Sequence, residues 1–183
     1  KLQELYPEDF HVDIMYNNEP MEVSELIKYN IIHFHKTIGN YGQMEELVAY
    51  LKKNNVIVIM DIDDYWSPDN KHPAYNIIKN NGLDKKIPAN LKLADAVTTT
   101  TSVFADEIKR RNKNVYVIPN AIDAADPQYQ PNPTKSEKLR IGWLGGSSHL
   151  HDLKLLDNMS NKLKSNGHID KTQLVVCGFD LRG

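Results

Sequence analysis

The stretch VIVIMDIDDYW, residues 56–66, decides the fold class of this chain. Its first five residues are apolar and rich in β-branched side chains, and the run is too short for a buried helix. A continuous apolar run of this kind is typical of an inner strand of a parallel sheet that is covered on both faces. A cluster of acidic residues follows the run directly, at the carboxyl end of the predicted strand.

Strand candidates and helical segments alternate on both sides of this stretch. Further strands are predicted at residues 10–15, 30–35, 96–99, 115–118, 139–144 and 173–177. Helices are predicted at residues 23–29, 42–54, 102–111 and about 150–164, and Ser102 is the predicted N-cap of the third. A less regular helical region ends near residue 94. This alternation predicts an α/β fold with a mostly parallel sheet.

A proline-rich segment interrupts this alternation in the second half of the chain. Residues 124–138 carry three prolines among polar residues, a composition typical of a linker. We therefore predict one domain over residues 1–123 and the start of a second over residues 139–183.

Composition limits the classes of partner. The 22 Lys and Arg residues against 24 Asp and Glu residues give a net charge of −2, and nucleic-acid binding needs a basic face. No apolar run is long enough to span a membrane, which predicts a soluble protein and leaves peripheral membrane contact open. The single cysteine, Cys177, lies in a predicted buried strand and favours a reducing, cytoplasmic location.

Three carboxylates follow the central predicted strand: Asp61, Asp63 and Asp64. Ligands bind beyond the carboxyl ends of strands in open parallel sheets, and carboxylates there can bind a metal, accept sugar hydroxyls or act as general bases. Asp residues also cap turns, but three charges so close together repel one another, which favours a functional interpretation. Trp66 is predicted either to stack on a sugar ring or to pack in the core.

Two histidines alternate on the strand predicted at residues 30–35, so they point to the same face. His35 lies nearer the strand end and is the better site candidate, whereas His33 is predicted to be partly buried. No further ligands lie nearby, so we predict no metal site.

A glycine turn, GGSS at residues 145–148, joins a predicted strand to a predicted helix. Glycine lets a backbone approach an anion closely, and a helix N-terminus favours phosphate. The turn is neither a P-loop nor a dinucleotide fingerprint, so it is equally compatible with a tight structural turn. His149 and Asp152 follow it, either as capping groups or as ligand contacts.

Several segments together resemble the retaining GT-B glycosyltransferases, in particular a bacterial subgroup. VIPNAID at residues 117–123 is similar to the family's VIPNGVD signature, with Ala121 in place of the usual glycine. RIGWLGG and SSHLHDL, over residues 140–153, resemble the first strand and glycine loop of the family's second domain. NIIHFHK (30–36), IMDIDDYW (59–66) and LADAVT (93–98) resemble three strands of its first domain. The resemblance covers nearly the whole chain.

The resemblance implies two Rossmann-like domains with helices on both sheet faces, the first for the acceptor and the second for the nucleotide sugar. Gly145, Gly146 and Ser147 would then contact the donor phosphates. The candidate catalytic residues are Asp63, Asp64 and His35. Further substrate contacts would come from Asp61, Trp66, His149 and Asp152.

The same resemblance implies sugar transfer to an acceptor hydroxyl, in polysaccharide or glycoconjugate synthesis. The acceptor would be a carbohydrate or a lipid-linked sugar. No metal or cofactor is expected beyond the nucleotide-sugar donor, because helix dipoles and basic side chains stabilise the leaving diphosphate.

The family pattern also implies that the sequence is truncated at both ends. A first strand and its glycine loop would precede Lys1, and a paired-glutamate motif would follow Gly183. We therefore expect these 183 residues to be inactive by themselves.

Three other functions remain as alternatives. A haloacid dehalogenase-like phosphatase would use Asp61 as nucleophile beside Asp63, and a GT-A glycosyltransferase would bind a metal with the same pair. A non-catalytic carbohydrate-binding module would use Trp66 and Tyr65.

Overall fold

Four parallel strands form the larger of two sheets in this computed structural model, which describes residues 2–16, 22–38, 44–131 and 135–178. The strands are β1 (Ile31–His35), β2 (Ile57–Ile62), β3 (Ala96–Thr99) and β4 (Val115–Val117), and they lie in the order β1-β2-β3-β4. In this register His35 lies beside Asp61, and Ile62 lies beside Thr99. The predicted α/β fold with a parallel sheet is confirmed.

Seven short α-helices lie within the described residues, two before β1 and five after it. They are α1 (Leu2–Leu5), α2 (Val23–Leu26), α3 (Met44–Lys53), α4 (Tyr75–Asn80), α5 (Leu83–Leu93), α6 (Ser102–Ile108) and α7 (Met159–Ser165). None of the helices within the described ranges is long and apolar enough to cross a membrane.

The hydrophobic core forms between β2 and the helices that follow the strands. Val58, Met60 and Ile62 alternate along β2 and are all fully buried. They belong to one cluster with Leu51 of α3 and Leu91 of α5. The helix predicted at residues 42–54 is present as α3, and its buried side chains, Leu47, Val48 and Leu51, recur at helical spacing.

Within the described residues, a second sheet contains two strands, β5 (Leu139–Leu144) and β6 (Thr172–Cys177), which pair in parallel. The segment between them begins with a 3-10 helix, Ser147–Leu156, and continues into α7. Two short 3-10 turns, Pro127–Tyr129 and Ile169–Lys171, precede β5 and β6 respectively.

The chain divides into two compact units. The first unit comprises Lys1–Ser67 and Ile78–Asn120, and the second unit comprises Pro68–Ile77 and Ala121–Gly183. The four-stranded sheet belongs to the first unit and the two-stranded sheet to the second. The assignment of residues 1–123 and 139–183 to acceptor and donor domains stays a prediction.

The strand predicted at residues 10–15 is wrong. This segment contains no helix or strand, and Phe10, Val12 and Ile14 are exposed. A side chain binds its backbone instead, since the Val12 N–H donates to Gln3 Oε1 at 2.9 Å. Alternating apolar residues form a strand only where a neighbouring strand supplies backbone partners.

The single helix predicted over residues 150–164 is also wrong. A 3-10 helix ends at Leu156, and α7 begins only at Met159. Asn158 separates them with a φ of 63°, in the left-handed region that interrupts a right-handed helix.

The cap of α6 was assigned one residue too late. Thr101, and not Ser102, is the N-cap, because its side-chain oxygen accepts the Phe104 N–H at 3.2 Å. Both residue types are good caps, so the hydrogen bond decides which of the two neighbours takes the position.

Candidate functional site

Two strand ends create the candidate site in the first unit. β1 ends at His35 and β2 at Ile62, and the two strands are neighbours in the sheet. Lys36 follows β1, and Asp63 and Asp64 follow β2. These residues therefore lie at the same edge of the sheet. This is the carboxyl edge of a parallel sheet, where open α/β proteins bind their ligands.

The side chains at this edge form a connected polar cluster of four residues. Asp63 Oδ1 lies 2.9 Å from His35 Nε2 and 3.1 Å from Lys36 Nζ. The same ammonium reaches Asp64 Oδ2 at 2.6 Å. We call His35, Lys36, Asp63 and Asp64 the edge cluster. It brings together all three predicted catalytic residues and adds one that the sequence analysis did not select, Lys36.

Asp61 is separate from this cluster. It lies within β2 and not after the strand, because β2 extends two residues beyond the predicted end at Met60. Its carboxylate accepts a hydrogen bond from the Thr98 hydroxyl of β3 at 2.5 Å. Of the three neighbouring carboxylates, Asp61 therefore has its own partner, Thr98, whereas Asp63 and Asp64 share the Lys36 ammonium.

The backbone of Lys36 adopts an unusual conformation. Its φ is 58°, in the left-handed region that residues with a Cβ rarely enter. Its N–H donates to the Asp61 carbonyl at 3.0 Å, and its own carbonyl accepts from Asn90 Nδ2 at 3.1 Å. β2 and α5 thus both fix this residue at the end of β1.

Asn90 is the second residue that sequence reasoning missed. It is 2 % exposed, although it is an amide in a helix whose buried positions are otherwise apolar, Ile87 and Leu91. A polar residue on the apolar face of a predicted helix was the available signal, since buried amides nearly always have a hydrogen-bond partner.

The charges of the edge cluster stabilise one another. The hydrogen bond from His35, with help from Lys36 and against the effect of burial, lowers the pKa of Asp63 to about 2. Burial alone would lower the pKa of Lys36, but its bonds to Asp64 and Asp63 outweigh that effect, so the pKa is raised. Asp63 is therefore ionised at neutral pH and accepts the hydrogen bond, so His35 Nε2 carries the hydrogen.

Trp66 is part of the core. It is 3 % exposed, lies against Phe104 with ring centroids 5.8 Å apart, and has the Arg111 guanidinium 4.8 Å from its ring centroid. Of its two predicted roles, the structure supports packing. Tyr65, which follows Asp64 in the chain, packs its ring near Trp66 and Phe104 but is half exposed, so a ligand can reach it.

His33 and Cys177 differ from expectation. His33 was predicted to be partly buried, but it is exposed on β1. Cys177 was predicted to be a buried strand residue, but it is exposed on β6, which has a single partner strand in the described structure. Within the described residues, no group of three His, Cys, Asp or Glu side chains is placed to hold a metal ion.

The glycine turn of the second unit has a clear structural role. The Gly145 N–H donates to the Cys177 carbonyl at 3.1 Å, continuing the β5–β6 ladder by one bond. A Cβ on Gly178, whose φ is 120°, would lie 1.8 Å from the Gly145 carbonyl oxygen. Glycine is therefore required at position 178, where the ends of β5 and β6 lie against each other. The Gly145 N–H already donates a hydrogen bond to the Cys177 carbonyl.

The remaining donor-side candidates lie directly after this turn. Gly146 precedes the 3-10 helix that starts at Ser147, in extended backbone. His149 Nδ1 lies 3.0 Å from Asp152 Oδ2 within that helix. The predicted phosphate contacts of Gly145, Gly146 and Ser147 stay predictions, with Gly146 and Ser147 the better placed because Gly145 donates to Cys177.

Comparison with known proteins adds no relative. No protein-family model matches the chain, and no curated protein or solved structure matches it.

Proposed function

We propose that this chain is part of a GT-B glycosyltransferase that transfers a sugar from a nucleotide-sugar donor to an acceptor hydroxyl. The observation that carries the proposal is the edge cluster, in which a histidine and an ionised aspartate pair at the carboxyl edge of a parallel sheet. The order of the motifs that resemble the family supports it, since His35 and Asp63 lie in two of those motifs.

The edge cluster can supply a base to an acceptor hydroxyl. Because Asp63 accepts the hydrogen on His35 Nε2, the other ring nitrogen, Nδ1, is the proton acceptor in this step. The acceptor hydroxyl gives its proton to Nδ1, and its oxygen bonds to the anomeric carbon of the donor sugar. The bond from that carbon to the diphosphate oxygen breaks, and the nucleoside diphosphate leaves with the electron pair.

Asp64 and Tyr65 would orient the acceptor. The Asp64 side chain is three-quarters exposed and has one oxygen on Lys36, and Tyr65 is half exposed beside it. Carboxylate oxygens accept hydrogen bonds from sugar hydroxyls, and an aromatic ring covers the apolar face of a sugar. This pairing favours a carbohydrate or lipid-linked sugar as acceptor, as in polysaccharide or glycoconjugate synthesis.

In this proposal the second unit binds the donor diphosphate at the start of the Ser147–Leu156 helix, with backbone N–H groups near Gly146 and Ser147. The support is chemical: a strand, a glycine turn and a helical N-terminus follow one another, and such a terminus favours an anion. The nucleotide sugar is a substrate, and the proposal assigns no further cofactor.

The experiment is nucleotide release by the protein made from its full reading frame, offered UDP-, GDP- and dTDP-sugars with a panel of sugar acceptors. We expect turnover of one donor class, reduced at least about 100-fold in Asp63→Asn and His35→Gln. Asp106→Asn is the matched control, because Asp106 also pairs with a lysine, Lys109, but lies on α6. This control should keep the wild-type rate.

Other outcomes would replace the proposal. Release of phosphate from a generic phosphomonoester, lost in Asp61→Asn, would indicate the phosphatase. Turnover that disappears with a chelator and returns with Mn²⁺ would indicate the GT-A type. Sugar binding without any nucleotide dependence would indicate a binding module, in which Tyr65 rather than the buried Trp66 meets the sugar.

A further inference from the structure

We propose that Lys36 is the positioning residue of the edge cluster: its left-handed backbone directs one ammonium between Asp63 and Asp64, and so fixes the Asp63 oxygen that His35 uses. This inference rests on the proposed function for its catalytic consequence. The geometry that suggests it is independent of the reaction.

The first argument is the backbone. A residue with a Cβ is disfavoured at a φ of 58°, and glycine would occupy the same conformation without penalty. Yet this position is a lysine, and the buried side-chain amide of Asn90 donates a hydrogen bond to the Lys36 carbonyl. A strained backbone of this kind persists where contacts with the surrounding structure hold it in place. Strained residues are found most often at functional sites.

The second argument is what the side chain does. The ammonium contacts Asp63 Oδ1 at 3.1 Å and Asp64 Oδ2 at 2.6 Å. Without it, two adjacent carboxylates would repel each other and turn apart. Asp63 Oδ1 is the atom that also contacts His35, so the position of the ammonium decides where that oxygen lies.

The third argument is that the core does not need this lysine. Its partners Asp63 and Asp64 are exposed residues that follow β2, whereas the core of the first unit is built from apolar side chains. The charged groups in contact with the ammonium are Asp63 and Asp64, and His35 shares the Asp63 oxygen with it; α5 contributes the neutral Asn90, which binds the Lys36 carbonyl. An ion pair this exposed adds little to stability, so stability alone does not explain it.

The test compares three substitutions in the protein made from its full reading frame. Lys36→Gly keeps the backbone conformation and removes the side chain, Lys36→Met keeps the length without the charge, and Lys36→Arg keeps the charge. We expect Lys36→Gly to unfold thermally no earlier than wild type. We expect kcat with the donor found above to fall about 10-fold or more in the Gly and Met variants, with KM for the donor little changed, and to recover partly in Lys36→Arg.

An activity-independent readout accompanies the kinetics. The Asp63 carboxyl is followed by NMR with ¹³C-labelled aspartate between pH 5 and 2, a range that reaches its pKa of about 2 in wild type. The Gly and Met variants should titrate at a pH higher by about half a unit or more, and Lys36→Arg should restore the wild-type curve. Lys109→Met, which removes the ammonium from Asp106, is the matched control and should change neither kcat nor the Asp63 curve.

Two results would overturn the inference. Wild-type kcat in both the Gly and Met variants would show that Lys36 positions nothing that the reaction needs. An unchanged Asp63 titration in both would show that the ammonium does not govern that carboxylate. If wild type turns over no donor, the proposed function fails, and the titration alone decides the role of Lys36.

Discussion

The two units of this protein both pair their strands in parallel, but they differ in what those strands bury. In the first unit, β2 lies between two neighbours and has three fully buried side chains. In the second unit, no residue whose burial is described between 121 and 178 is buried. Leu144 of β5 is 84 % exposed, although it is as apolar as any core residue of β2.

Strand pairing and core formation therefore have different structural requirements. A βα repeat is enough to bring two strands together, and both units have that repeat. A core needs layers, because a sheet hides its side chains only where helices or further strands cover its faces. We therefore expect the first unit to hold most of the stability, and the second to depend on local backbone fits such as that of Gly145 and Gly178.

The largest expected effect contrasts one leucine from each unit. Leu51→Ala should lower the free energy of unfolding by about 3–4 kcal/mol, because it leaves a cavity at a fully buried position. Leu144→Ala removes the same atoms from an exposed site and should cost less than about 0.5 kcal/mol. Urea unfolding can be followed by ¹⁹F NMR of 5-fluorotryptophan, since Trp66 reports on the first unit and Trp143 on the second. Equal losses from the two substitutions would contradict the comparison.

A smaller effect is expected for two glycines of the second unit, Gly178 and Gly167. Gly178→Ala should destabilise that unit by about 3 kcal/mol, because its new Cβ would meet the Gly145 carbonyl at 1.8 Å and its φ is 120°. Gly167 also has a positive φ, 69°, but open space around it, so Gly167→Ala should cost only about 1 kcal/mol. The Trp143 signal measures both. If the two variants unfold at the same urea concentration, the strand ends do not pack as described.

The smallest expected effect concerns acid stability of the first unit. The pKa of Asp63 is lowered from 3.8 to about 2, so its contribution is present above about pH 4 and is lost as the pH falls toward 2. The side chain is 42 % exposed, and solvent screening limits this contribution to about 1 kcal/mol. Wild type should therefore exceed Asp63→Asn by that amount at pH 6 and by almost nothing near pH 2, as measured by urea unfolding at each pH. A gap that is the same at both values would show that Asp63 is not stabilised as an anion.

Elements that carry their own periodic signal were predictable. β2 follows from one apolar run, and α3 from apolar residues at helical spacing that lie against it. The strand predicted at residues 10–15 is absent because alternating apolar residues are not sufficient for a strand. A strand also needs a neighbouring strand with which its backbone can form hydrogen bonds. The helix predicted at residues 150–164 failed at Asn158, where a left-handed residue outweighs good helix formers on both sides.

The candidate site was predictable in type and in three of its four members, but Lys36 was missed. Asp63, Asp64 and His35 were selected because acidic and imidazole side chains at strand ends point to one sheet edge. Nothing in the sequence marks Lys36 as left-handed or Asn90 as its partner, since the two are 54 positions apart. Trp66 shows the converse: the sequence allowed a sugar platform, and burial against Phe104 makes it a core residue.

The α/β class, the parallel direction of the sheet and the edge at which polar groups gather follow from the sequence, because each depends on local periodicity and chain direction. Which carboxylate meets which base, which glycine is required and which apolar strand is covered are established by the folded structure. Those outcomes depend on contacts between residues far apart in the chain, which pair only when β1, β2 and α5, or β5 and β6, come together.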